Sequence, residues 1–108
     1  MRSGMKEEAG ITEHSLHNAR VLEGRMGKPV EVILDAGGST IDHTVRAIYQ
    51  SGASFEFSGF AWSYCGEGPR GLLEFLRGLG FEVSMQTISS WPEKDFAKRM
   101  VVGEGGQV

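Results

Sequence analysis

A glycine-rich stretch at residues 66–70, Gly-Glu-Gly-Pro-Arg, contains the residue types that can hold an anion. It precedes a strongly apolar helical pattern, so its main chain would form the first turn of a helix. The N–H groups of that turn have no helical partner and carry a partial positive charge. Gly66 and Gly68 would let a phosphate or carboxylate approach the backbone, and Arg70 would add a cation. The stretch is therefore a candidate anion-binding site.

The same stretch also has a purely structural interpretation, which we favour. Glu67 places a negative charge where the anion would lie, and Pro69 removes one N–H donor. The spacing matches neither the P-loop nor the dinucleotide-binding fingerprint. An ordinary turn and helix start, with Arg70 paired to Glu74 four residues later, accounts for these residues without a ligand.

Three aromatic residues alternate along the preceding segment, Phe60, Trp62 and Tyr64. This alternation predicts a strand over 60–64 with one aromatic face. Aromatic rings on a strand can stack on nucleic-acid bases or on another planar ligand, so Trp62 and Tyr64 are candidate ligand-binding residues. The residues between them are small and uncharged, whereas a stacking surface usually has interleaved Lys and Arg. Packing in the core or at an interface is therefore the favoured interpretation.

One cysteine and three histidines complete the set of reactive side chains. Cys65 lies close to the predicted helix N-terminus, where a thiol can become nucleophilic if a base lies within hydrogen-bond reach. His43 is the one histidine expected in the sheet. The apolar neighbours of Cys65 predict instead a buried thiol. His14 and His17 are three apart on a predicted helix and could share a metal, but no third ligand accompanies them, so we predict surface histidines and no metal site.

The composition limits the class of protein. A chain of 108 residues is long enough for one domain with one core. The net charge is −3, and from residue 29 onward there are six Lys or Arg and ten Asp or Glu, which argues against broad binding to nucleic-acid phosphates. A single cysteine excludes an intrachain disulfide. No apolar run approaches the roughly 20 residues of a membrane span, and residues 1–10 lack the apolar core of a signal peptide, so a cytoplasmic location is expected.

The elements that would position these residues follow from hydrophobic periodicity. Apolar residues at spacings of three, three and four predict a helix over 12–26, with Thr12 as its cap. Alternation predicts a strand over 30–35. Residues 41–50 fit a helix or a strand, and their β-branched side chains favour the strand; a helix there would make the sheet largely parallel. A hairpin turn at 51–52 would lead into the next strand.

The second half of the chain contains the strongest helical pattern. A change in apolar parity predicts a bulge at 58–59. An apolar stripe predicts a helix over 69–79, closed by Gly80 in the left-handed conformation. Alternation then predicts a strand over 81–87. Ser90 starts a capping-box pattern that predicts a short C-terminal helix.

Together these elements predict the order α-β-β-β-α-β-α. This is a small single-domain α+β sandwich, with a mainly antiparallel four-stranded sheet and helix 69–79 packed on one face. Residues 1–27 would form an N-terminal arm, partly mobile or weakly helical, 28–102 the compact α+β domain, and 103–108 a disordered tail. The apolar stripe of the first helix is thin, which leaves room for self-association as a homodimer.

No residue pattern identifies a reaction or a ligand. Because no acid–base or metal-binding set is assembled, we expect a non-catalytic small binding or protein-interaction module, with the 66–70 loop as the candidate site for a small anionic ligand. One alternative is a small enzyme that acts on an anionic substrate near the same loop. The other is a single-stranded nucleic-acid binder that uses Trp62 and Tyr64, although a nucleic-acid partner is disfavoured by the charge. We expect no cofactor and no membrane partner.

Overall fold

A computed structural model describes residues 4–6, 10–37 and 43–103. Its elements, in chain order, are β1 (Gly4–Lys6), α1 (Thr12–Met26), β2 (Glu31–Asp35), β3 (Thr44–Ile48), β4 (Ser54–Phe57), α2 (Glu67–Gly78), α3 (Met85–Ser90) and β5 (Ala97–Val101). Strands β4, β3, β2 and β5 are antiparallel neighbours in that order, and β1 pairs in parallel with β4 at one edge. The predicted class, an α+β domain with a mainly antiparallel four-stranded sheet, is confirmed.

The core lies between one face of the sheet and the helices. Side chains of the sheet and of α2 and α3 form a single buried cluster, which includes Val32, Leu34, Val45, Ala47, Phe57, Leu72, Phe75, Leu76 and Ile88. The Phe75 ring of α2 packs 5.2 Å from that of Phe57 and 5.1 Å from that of Phe60. Each such side chain contributes about 1.5–3 kcal/mol through removal from water. The predicted packing of helix 69–79 on one face of the sheet is confirmed.

The opposite face of the sheet carries charged side chains. Arg46 of β3 pairs with Glu56 of β4 at 2.6 Å, and Arg99 of β5 pairs with Glu31 of β2. Both arginines are more than half exposed, so each pair contributes only about 0–1 kcal/mol. One core face and one polar face are usual for an antiparallel sheet.

Helix α1 is attached to the domain by buried polar contacts. Thr12 Oγ1 donates a hydrogen bond of 2.7 Å to the carbonyl of Gly59, and the Gly59 N–H donates one of 2.9 Å to Ser15 Oγ. The predicted capping role of Thr12 is therefore wrong, because its hydroxyl is used across the fold and Ile11 is the N-cap. The predicted bulge at 58–59 is also wrong: β4 has already ended, and Gly59 leaves room for the Ile11 carbonyl.

The C-terminal end of α2 has the predicted form. Gly80 has a φ of +99°, and its N–H donates to the carbonyl of Arg77 at 3.0 Å. The N–H of Phe81 donates to the carbonyl of Leu76 at 3.1 Å. These two bonds form a Schellman motif, which satisfies two of the last carbonyls of the helix.

Two predictions for the last third of the chain are wrong. The segment 81–87, predicted as a strand, turns into α3, because Ser84 Oγ accepts the N–H of Thr87 at 3.1 Å and caps the helix. The helix predicted to start at Ser90 does not form. Residues beyond it instead make β5, which pairs with β2 and forms the edge of the sheet opposite β1.

The middle of the chain follows the predicted strands. Strand β2 confirms the strand over 30–35, and β3 confirms an extended rather than a helical conformation for the described part of 41–50. The hairpin turn is confirmed by Gly52, which has a φ of +94° and donates to the Tyr49 carbonyl at 2.9 Å. The first two residues of segment 41–50, most of the tail 103–108 and parts of the arm 1–27 lie outside the described residues.

Candidate functional site

A chain reversal at Ser63 separates the three aromatic residues of the predicted strand 60–64. Ser63 has a φ of +83°, an unusual value for a residue other than glycine. Phe60 and Trp62 before the reversal are buried, whereas Tyr64 after it is 51% exposed. The segment forms no strand, and its aromatic side chains do not share one face.

Trp62 is part of the core. Its side chain is 0% exposed, and the ring of His43 lies parallel to it, with the two ring centres 4.1 Å apart. The indole Nε1–H donates to the carbonyl of Pro92 at 2.9 Å. A nucleic-acid base therefore has no access to this ring, and Tyr64 is the predicted stacking residue whose ring remains exposed.

Both ring nitrogens of His43 contact the main chain. Nδ1 accepts the Trp62 N–H in a long hydrogen bond of 3.4 Å, so Nε2 carries the proton and donates to the carbonyl of Glu93 at 2.8 Å. The prediction that Cys65 is buried is wrong: the reversal at Ser63 turns its thiol outward. Within the described residues, no hydrogen bond joins Cys65 to a histidine, and both ring nitrogens of His43 are engaged with main-chain groups.

The glycines of the loop at 66–70 make room for an aromatic ring. A Cβ atom at Gly66 would lie 2.8 Å from Cε2 of Tyr64. A Cβ atom at Gly68 would lie 3.0 Å from the Tyr64 hydroxyl oxygen and 3.0 Å from Cβ of Ala61. Since real Cβ atoms rarely have such close neighbours, the Tyr64 ring packs against the start of α2 only because these positions lack side chains.

The anion site at this loop stays a prediction. Gly66 is the N-cap of α2 and offers no capping side chain, and the side chain of Arg70 is exposed. The interpretation that paired Arg70 with Glu74 finds no support, because no ion pair of Arg70 occurs in the described part of the chain. The Tyr64 ring, however, lies against Gly66 and Gly68, the two glycines whose backbone an anion would have to approach.

A cleft lies between α1 and α2. It has a volume of about 200 Å³. Phe75, Leu79 and Pro29 form its buried floor, and the helix residues around them complete the walls. The full lining is Leu16, Ala19, Arg20, Glu23, Pro29, Glu74, Phe75, Gly78 and Leu79.

The cleft exists because small residues occur where the two helices face each other. Near the start of α1, Gly71 of α2 lies so close to Thr12 that a Cβ atom would overlap the threonine methyl group. Farther along, Ala19 and Gly78 leave the space between the helices unfilled, and a Cβ atom at Gly78 would meet nothing within 4 Å. Small residues on the side of one helix that faces another could have indicated this cleft from the sequence. The cleft was not predicted from the sequence.

Three charged side chains line the cleft, Arg20 and Glu23 from α1 and Glu74 from α2. Within the described chain none of them forms an ion pair. Their formal charges sum to −1. Burial, together with the negative charge of Glu23, raises the pKa of the nearby Tyr49 phenol to about 12.

The described residues place limits on two other kinds of site. In residues 4–6, 10–37 and 43–103, no three His, Cys, Asp or Glu side chains are arranged to hold a metal ion. The helices formed by these residues lack the length and apolar character of a membrane span. Comparison with protein-family models, curated proteins and solved structures finds no match. The functional argument therefore depends on the geometry of this chain.

Proposed function

We propose that this chain is a non-catalytic binding module that takes a small molecule in the cleft between α1 and α2. The observation that carries the proposal is the open cleft of about 200 Å³ with an apolar floor. A cavity of roughly 150 Å³ can hold a benzene ring, and pockets for drug-sized ligands begin at about 300 Å³. The expected ligand is thus one ring with a short substituent, or a hydrocarbon chain of similar size.

Three features support binding without catalysis. Among the residues that line the cleft, the groups that could act as a base or a nucleophile are two carboxylates, Glu23 and Glu74, and they belong to different helices. Cys65 belongs to a different region of the fold, beside the start of α2. His43 uses both ring nitrogens to hold main-chain groups. The enzyme alternative stays a prediction that requires a rearrangement at one of these places.

Nuclear magnetic resonance of the intact, isotope-labelled chain tests the proposal. The probe is 2-phenylethanol, a neutral molecule with nine non-hydrogen atoms. At the lower bound of about 0.3 kcal/mol per atom, its binding free energy would be roughly 3 kcal/mol, which corresponds to a dissociation constant in the millimolar range. We expect saturable chemical-shift changes confined to the amides of α1, α2 and the segment around Pro29.

Two helical glycines provide a matched pair of variants. Both Gly78 and Gly24 lie in helices without a positive φ, and a Cβ atom at either would meet nothing within 4 Å. Gly78 lines the cleft and Gly24 does not. Gly78→Leu should therefore abolish binding by filling the cleft, whereas Gly24→Leu should retain it.

Two outcomes would overturn the proposal. One is the absence of saturable shifts for 2-phenylethanol, for 2-phenylethylamine and for 3-phenylpropionate. The other is equal binding by the two leucine variants. Sedimentation of the same samples addresses the predicted homodimer: a dimer dissociated by Gly78→Leu would assign the cleft to a second copy of the chain rather than to a small molecule.

A further inference from the structure

The charges around the cleft indicate which class of small molecule it takes, and this inference rests on the proposed function. The cleft has one guanidinium, Arg20, and two carboxylates, Glu23 and Glu74. In the described chain these groups are not paired with each other. An anionic ligand would meet two like charges and one opposite charge, whereas a cationic ligand would meet the reverse.

The two carboxylates approach the cleft from different sides. Glu23 lies on α1, one helical turn after Arg20, so this wall of the cleft carries no net charge. Glu74 lies on α2, and the other α2 residues of the lining are uncharged, which leaves its wall negative. A positive group bound beside Glu74 would thus be attracted to the α2 wall, and the overall charge of the chain, −3, has the favourable sign.

The floor of the cleft accounts for the rest of the ligand. Phe75 and Leu79 are 8% exposed and present aromatic and aliphatic surface, so they suit a hydrocarbon group removed from water. We propose that the cleft binds a small primary amine in its ammonium form, with an aromatic ring or a short alkyl chain on the floor and the ammonium group beside Glu74.

Three phenyl compounds of similar size test this proposal on the intact chain: 2-phenylethylamine, 2-phenylethanol and 3-phenylpropionate. We expect the amine to bind roughly 3- to 10-fold more tightly than the alcohol, and the carboxylate to bind more weakly than both. Added salt should weaken binding of the amine and leave binding of the alcohol unchanged, because only the amine is attracted to the cleft by its charge.

Charge-neutralising variants separate the contribution of each wall. Glu74→Gln should weaken binding of the amine roughly 3- to 10-fold without changing binding of the alcohol. Arg20→Gln should strengthen the amine, since it removes the one repulsive charge. Glu13→Gln is the matched control, because Glu13 is also exposed on a helix but does not line the cleft.

The results distinguish this inference from the proposed function itself. If the alcohol binds in the cleft as tightly as the amine, or the carboxylate binds more tightly, the ligand class is wrong and the binding module remains. If none of the three binds, the proposed function fails first.

Discussion

Replacement of Gly71 by alanine tests how α1 and α2 are held together. At an open position inside a helix, alanine is more stable than glycine by about 0.5–1 kcal/mol. At Gly71, however, the new Cβ atom would overlap Cγ2 of Thr12 and would lie 3.3 Å from Cδ1 of Phe60. Since all three residues are buried, the added methyl group has no free space.

The size of the effect follows from how little Thr12 can move. Its Oγ1 donates to the Gly59 carbonyl at 2.7 Å, and a β-branched side chain has few alternative rotamers. Overpacking of this kind costs about 1–3 kcal/mol, from which the helical gain of about 0.5–1 kcal/mol is subtracted. The midpoints of these two ranges differ by roughly 1 kcal/mol, so we expect Gly71→Ala to lower the free energy of unfolding by about that amount.

Urea denaturation of four chains measures this effect: wild type, Gly71→Ala, Thr12→Ser and the double variant. Serine at position 12 removes the obstructing methyl group and retains the hydroxyl, so the Gly71→Ala substitution should lose most of its cost in that background. Gly78→Ala, in the same helix but with open space around its Cβ atom, should be neutral or stabilising. An unchanged stability of Gly71→Ala, or the same loss in both backgrounds, would refute the close contact of the helices.

Two further predictions concern the rings of His43 and Tyr49. His43→Ala should lower the free energy of unfolding by about 1–3 kcal/mol, because a ring stack and two main-chain partners are lost, whereas His14→Ala on the exposed surface of α1 should change it by less than about 0.5 kcal/mol; equal losses in thermal denaturation would contradict this. In a Tyr64→Phe chain, absorbance should report the Tyr49 phenol with a pKa of about 12, and Glu23→Gln should lower that pKa. The folded chain keeps this proton to a higher pH than the unfolded chain does. The contribution of Tyr49 to the free energy of unfolding is therefore fully present below about pH 10 and is lost as the pH rises towards 12. A titration midpoint of Tyr49 near pH 10 in the folded chain would contradict its burial.

Several elements were determined by the sequence itself. The helix over 12–26, the hairpin turn with Gly52 and the end of α2 at Gly80 all agree with the structure. Their physical causes lie within a few residues along the chain: apolar spacing on one face, and a glycine where the backbone takes a positive φ. Such signals can be read without knowledge of the rest of the fold.

The conformation of residues 81–101 was decided partly by a local helix cap and partly by a contact between distant parts of the chain. Alternation from Phe81 predicted a strand, yet a helix cap at Ser84 prevailed after the first residues. Strand β5 obtains its partners from β2, with Asp35 and Ala97 opposite each other although they are 62 residues apart (97 minus 35). The hydrophobic pattern of one segment does not show which distant strand will pair with it.

The candidate site also required the tertiary structure. The sequence singled out Gly66 and Gly68 for an anion, and the reversal at Ser63 placed the Tyr64 ring over those glycines. The cleft lies where two small residues, Ala19 of α1 and Gly78 of α2, line the space between the helices although they are 59 residues apart (78 minus 19). An unfilled space depends on both helix surfaces together, so the sequence of neither helix alone indicates it. The charged residues that border the cleft can be read from the sequence, but their position around one cleft cannot.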